Sequence, residues 1–250
     1  MNIHIMILTQ KILCGLFLIL MSGCFDSGSN TSNSSGEAGS TAKFLTQNNH
    51  LISIEDRLIK VFSIEDTLQP TLINTYKSRQ TLETIFPYNE NKIMLGTNSG
   101  VIIMDHSVPG ELSEISFLNH AISCDPVIAD NNYMYVTLRS GSFCGVDDIN
   151  ELQIINIEDL TRPVLVKTIE LDQPWGLGLN GETLYICLKS ELVAIDVSEP
   201  EAAQEIGRYS VICNDIIASE PMILTSDEDI KIISIEDLRL IEHATISKGL

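Results

Sequence analysis

A four-residue pattern returns along this chain about every 40 residues. It reads Val61-Phe62-Ser63-Ile64, Ile103-Met104-Asp105-His106, Ile154-Ile155-Asn156-Ile157, Ala194-Ile195-Asp196-Val197 and Ile232-Ile233-Ser234-Ile235. The small polar residue falls at 63, 105, 156, 196 and 234, in steps of 42, 51, 40 and 38. A motif held at constant phase over this period belongs to solenoids or propellers, because each unit needs its neighbour to cover an apolar face.

Within each unit the apolar residues alternate or run in short blocks, which is strand periodicity. The fourth unit is the clearest. Trp175 to Leu179 is apolar, and Asn180-Gly181 is a hairpin pair in which both residues tolerate positive φ. Thr183 to Leu188 and Leu192 to Val197 follow, then Pro200 interrupts the ladder because it has no N–H to donate. Gln204 to Tyr209 makes a fourth strand. Four strands per unit is a propeller blade. First strands fall near 43–47, 81–86, 124–129, 175–179 and 213–218, and last strands near 71–76, 111–117, 164–170, 204–209 and 239–246. The expected fold class is all-β, a five-bladed β-propeller of four-stranded antiparallel blades over 42–250. The ring is expected to close by packing of blade five on blade one.

Leu152 to Val166 reads Leu-Gln-Ile-Ile-Asn-Ile-Glu-Asp-Leu-Thr-Arg-Pro-Val-Leu-Val, and Leu192 to Pro200 reads Leu-Val-Ala-Ile-Asp-Val-Ser-Glu-Pro. Both resemble the unit of the bacterial LVIVD-repeat β-propeller family; the other three copies mostly lack the Asp-Pro step. The resemblance implies the fold and a secreted or surface-associated setting, and it lends no catalytic residue.

The start of the chain carries an address. Residues 1–23 have one basic side chain, Lys11, and an apolar run from Ile12 to Met21 that is too short for the ~20 residues a spanning helix needs. Met21-Ser22-Gly23-Cys24 resembles a bacterial lipobox, with Met where Leu is usual. The resemblance implies a signal peptide over 1–23 and lipidation of Cys24. Residues 24–41 are rich in Ser, Gly and Asn and read as a flexible tether. Phe25 follows Cys24, where Asp would resemble an inner-membrane retention signal. The expected location is the bacterial cell envelope, and the outer membrane in a Gram-negative source.

Charge narrows the partners. Without 1–23 the chain has 14 basic and 34 acidic side chains, a net charge of −20. Nucleic acid requires clustered Lys and Arg and is excluded as a partner. The acids read as a solvated rim. Asp147-Asp148-Ile149-Asn150 and Asp227-Glu228-Asp229 are the two stretches considered for a divalent cation, and neither has calcium-loop spacing. No metal and no cofactor is expected.

Four cysteines fall in the folded region, and an exported chain meets oxidising surroundings. Cys124 and Cys144 belong to blade three, Cys187 ends the second strand of blade four, and Cys213 opens blade five. Placed on one face, they pair as Cys124–Cys144 and Cys187–Cys213. No Gly-x-Ser-x-Gly and no phosphate loop occurs, so the expectation is a non-enzymatic interaction module for an envelope or extracellular protein, peptide or glycan. The expected ligand face carries Glu83, Asp125, Phe143, Trp175 and Asp215 at the inner strands and the blade-three loop 139–150. The alternative is a glycosidase-like hydrolase using channel carboxylates, which work in pairs.

Overall fold

A computed structural model describes residues 39–119, 126–141 and 149–249. Signal peptide, Cys24 and most of the tether lie outside them, as do Cys124, Asp125, Phe143 and Cys144. No helix among the described residues is long and apolar enough to cross a membrane.

The strands form five four-stranded antiparallel sheets in chain order. Blade one is β1 (Phe44–Gln47), β2 (His50–Glu55), β3 (Leu58–Ser63) and β4 (Thr71–Lys77). Blade two is β5 (Leu82–Asn89), β6 (Lys92–Thr97), β7 (Gly100–Asp105) and β8 (Ser113–Asn119). Blade three is β9 (Val127–Asp130), β10 (Tyr133–Arg139), β11 (Asn150–Asn156) and β12 (Val164–Glu170). Blade four is β13 (Leu177–Asn180), β14 (Thr183–Cys187), β15 (Leu192–Asp196) and β16 (Gln204–Tyr209). Blade five is β17 (Asp215–Ile217), β18 (Met222–Thr225), β19 (Asp229–Glu236) and β20 (Arg239–Ser247). The five-bladed propeller expected from the repeat is the fold observed.

The recurring polar residue has a structural job. In blades one to four the third strand ends on it, and in blades two to four its side chain accepts the N–H two residues on. The distances are 2.6 Å for Asp105 to Ser107, 2.9 Å for Asn156 to Glu158 and 2.9 Å for Asp196 to Ser198. This is the Asx turn, in which a short side chain substitutes for a backbone acceptor and turns the strand out of the ladder. A β-bulge sits just before it in all five blades, at Val61/Phe62, Ile103/Met104, Ile154/Ile155, Ala194/Ile195 and Ile232/Ile233. Bulges add twist to the bulged strand. Blade five departs: Ser234 stays inside β19, and the hairpin closes at Asp237 and Leu238, both with positive φ.

Apolar clusters bind each blade to the next. Ile52 and Val61 of blade one meet Ile93 and Leu95 of blade two. Met94 and Ile103, on the other side of that blade, meet Met134 and Val136. Leu152 and Ile154 meet Ile186 and Val193, and Leu192 and Ala194 meet Leu224 and Ile233. Successive residues such as Ile93, Met94 and Leu95 are therefore all fully buried, on opposite sheet faces. The outer strands β4, β12 and β16 are largely exposed.

The junction of blades five and one differs from expectation. Among the described residues no buried cluster joins them. On the faces turned away from the clusters, Leu51, Phe62, Ile223, Ile230 and Ile232 are only half-buried. The inner edge of this junction is held by polar contacts instead: Asp215 of β17 accepts from the Ser40 hydroxyl at 3.0 Å and the Thr41 hydroxyl at 2.6 Å. The sequence reading counted Ser40 and Thr41 as tether; Ser40 is fully buried.

Asp105 provides a test of the turn. The hydroxyl and N–H of Ser107 and the ammonium of Lys92, 3.2 Å away, hold its carboxyl at about 2, below the ordinary value of 3.8. A depressed folded pKa adds stability above the unfolded pKa that is lost as pH falls through the folded one. Wild type is therefore expected to lose melting temperature between about pH 4 and pH 2 by more than Asp105→Asn does. The variant keeps the turn, as Asn156 does in blade three, and has no proton to gain. Thermal melts across that pH window measure the difference.

Candidate functional site

The inner strands β5, β9, β13 and β17 surround a central channel whose two ends differ. At the leading end, where the inner strands begin, residues from several blades interlock. The Arg139 guanidinium of β10 lies 3.5 Å over the Trp175 ring, a cation–π contact between blades three and four. The Thr137 hydroxyl donates to the Trp175 carbonyl at 2.8 Å, and the Trp175 N–H donates to the Cys187 carbonyl at 2.7 Å. Burial pulls Arg139 below its ordinary pKa, and the Glu83 carboxylate of β5 opposes that shift.

Asp215 is engaged at the same end. It accepts the Thr41 N–H at 3.2 Å besides the two hydroxyls already named. The Ser40 oxygen in turn accepts the Leu177 N–H at 2.8 Å. One serine thus ties β13 to β17 and both to the segment leading into blade one. The carboxylate lies against the backbones of Gly39 and Gly176, and a Cβ on either would overlap it. Cys187 and Cys213 form the expected disulfide, with Cα atoms 5.4 Å apart. It joins blade four to blade five beside Trp175. Of the ligand face expected from sequence, Glu83, Trp175 and Asp215 sit at this end, while Asp125, Phe143 and the Cys124–Cys144 pair lie outside the described residues.

Two cavities among the described residues open at the trailing end. One, of about 410 Å³, has a wall of Phe86, Ile128, Leu177, Leu179 and Ile216, with Asp130 as the one carboxylate of its lining. A second, of about 240 Å³, shares Asp130, Leu179 and Gly181 with the first and adds Tyr133 and Tyr135. Burial raises the Tyr135 phenol to about 12, reinforced by Asp130, and raises Tyr88 for the same two reasons. Both phenols thus stay protonated at neutral pH and serve as hydrogen-bonding groups. The Tyr88 hydroxyl donates to the Asn131 carbonyl, and the Asn131 amide donates to Asp130 at 2.7 Å.

The arrangement is a chamber of apolar side chains with one carboxylate in its lining, and that carboxylate is shared with a smaller cavity lined by Tyr133 and Tyr135. It can hold an apolar body and orient a polar or cationic end. It carries no local signal in the chain: two to four residues come from each of four blades, and most of them read as ordinary strand. Among the described residues no group of three His, Cys, Asp or Glu side chains converges.

Residues 175–211 match the family model for the LVIVD repeat. No curated protein matches the sequence. Solved structures share the fold. A Lactobacillus plantarum protein superposes with a TM-score of 0.62 at 12% identity, covering 81% of this chain and 67% of its own. The periplasmic gluconolactonase PpgL of Pseudomonas aeruginosa gives 0.62 at 10% identity, covering 83% and 68%. AztD of Citrobacter koseri gives 0.54 at 14% identity, covering 80% and 61%. The chain thus spans about two thirds of the length of these neighbours.

These findings correct the expectation that the chain is not an enzyme. It rested on missing motifs, and a propeller of this fold is a gluconolactonase. A site built from separate blades needs no local motif, so motif searching has no power against it.

The polar clasp yields a direct prediction. Asp215→Ala removes three accepted hydrogen bonds and leaves the buried Ser40 hydroxyl without its acceptor. It should cost about 1–3 kcal/mol in chemical denaturation. Glu220→Ala, on an exposed turn of the same blade, should cost less than about 0.5 kcal/mol.

Proposed function

We propose that this protein is an extracytoplasmic lipoprotein, anchored through Cys24, whose propeller is a binding module that takes its ligand in the trailing chamber of the channel. The chamber carries the reading. Its volume of about 410 Å³ lies within the ~300–1,000 Å³ range of ligand sites, and its lining sets Phe86, Ile128, Leu177 and Leu179 beside Asp130, Ser219 and backbone polar groups. The ligand class is a protein segment, peptide or glycan that presents an apolar face to Phe86, Leu177 and Leu179 and a donor to Asp130. Support for the location comes from the lipobox-like Met21-Ser22-Gly23-Cys24 and the Ser/Gly/Asn tether. A disulfide and the fold shared with a periplasmic protein agree with it.

A second reading, hydrolysis in the same chamber, is favoured by that shared fold. Asp130 is the carboxylate placed to act there. Asp215, engaged by Ser40 and Thr41, is placed to hold the leading end together.

Two experiments test these readings. Capture from envelope extract, followed by peptide and glycan arrays, should identify a ligand set for the wild type. Leu179→Trp, which fills the space shared by both cavities, should lose that set while keeping its melting temperature. Identical capture by both proteins would sink the chamber as the binding site. Turnover of a lactone or glycoside panel by wild type and its loss in Asp130→Asn would select the second reading. For the anchor, Cys24→Ser should move the protein from the detergent phase to the aqueous phase on phase separation, and unchanged partitioning would refute lipidation.

A further inference from the structure

Three buried side-chain atoms lack a hydrogen-bond partner among the described residues: Gln47 Oε1, His50 Nδ1 and His106 Nε2. They belong to one place. Gln47 and His50 face each other across the β1–β2 ladder. The His50 and His106 rings lie 5.2 Å apart, centroid to centroid, at 83°. His106 follows β7, so the group spans the junction of blades one and two at the trailing end. Exposure is 8% for Gln47, 8% for His50 and 2% for His106, which leaves solvent little access.

The protonation pattern is legible. His106 Nδ1 lies 3.1 Å from the Glu111 carbonyl, which can only accept, so Nδ1 carries the proton and Nε2 presents a lone pair. The Gln47 amide nitrogen donates to the Asn89 carbonyl, so Oε1 is the end left over and it too presents a lone pair.

Burying an unsatisfied polar atom is costly, and three in one place compound the cost. One cation can serve all three. We propose that Gln47 Oε1, His50 Nδ1 and His106 Nε2 form a divalent transition-metal site, with Zn²⁺ as the fitting ion and water in the fourth position. Imidazole nitrogen selects zinc and its neighbours over calcium or magnesium. Two imidazoles on one tetrahedral ion, at about 2.0–2.1 Å from each nitrogen, put their ring centres roughly 5 Å apart. The His106 Nδ1–H donating to a backbone carbonyl is the arrangement that orients a ligating histidine. The amide oxygen is the weakest of the three donors, so the site is an exchangeable one.

The site escapes sequence reading because its residues come from two blades and lack the close spacing of a metal motif. It is independent of the chamber proposed above.

The test is Zn²⁺ titration of the purified mature protein against a chromophoric chelator. One equivalent should bind, Co²⁺ should give the intense visible bands of a tetrahedral site, and Zn²⁺ should raise the melting temperature. His50→Gln and His106→Gln should each abolish all three signals. Gln47→Leu should weaken binding by about 10–100-fold and leave the metal-free protein folded, since it removes the orphaned Oε1 along with the bond to the Asn89 carbonyl and keeps a side chain of similar size. His243→Gln, on the exposed β20, should change nothing. Absence of stoichiometric binding in wild type would overturn the proposal without appeal to any variant, and so would binding that survives in the His50→Gln, His106→Gln double variant.

Discussion

Packing of one blade against the next is the interaction on which the rest of this structure depends. A repeat unit of this kind cannot cover its apolar faces alone, and here a blade with two neighbours buries both faces. Ile93, Met94 and Leu95 show the consequence: consecutive residues point to opposite faces and all three are fully buried. Each such side chain contributes about 1.5–3 kcal/mol by leaving water. Stability is therefore distributed around the junctions and passes through nearest neighbours, as in other repeat proteins.

The junction without a buried cluster shows what happens where this rule lapses. Blades five and one are linked at the inner edge by hydrogen bonds to one carboxylate, and the apolar residues farther out are only half-buried. Hydrogen bonds of this kind are worth about 1 kcal/mol each in net terms. The disulfide Cys187–Cys213 lies at the adjacent junction, between blades four and five. Covalent and polar links thus concentrate around blade five, whose outer strand β20 is also the most exposed of the outer strands.

The two ends of the channel have different chemistry for a related reason. At the leading end, Trp175, Arg139, Thr137, Ser40 and Asp215 use their polar groups on one another. At the trailing end the Asx turns draw the connections away from the strands, and the inner strands enclose a chamber with Asp130 in its lining. Among the described residues, the interlocking contacts gather at the leading end and the two cavities named above at the trailing end.

The sequence alone determined the repeat with its recurring small polar residue, the strand count, the approximate blade boundaries and the Cys187–Cys213 pair. All of these are local or periodic: an Asp or Asn closing a strand, a Gly after Asn in a hairpin, an even cysteine count on one face. Tertiary structure decided the rest. Asp215 opens the inner strand β17 and Trp175 lies two residues before β13, but whether such a residue braces a blade or meets a ligand depends on neighbours 38 to 175 positions away. The chamber collects Phe86, Ile128, Leu179 and Ile216 from four blades, and the Gln47, His50 and His106 cluster comes from two. Residues of that kind carry no signature in the chain, because strand periodicity records that a side chain is buried and not what lies across from it.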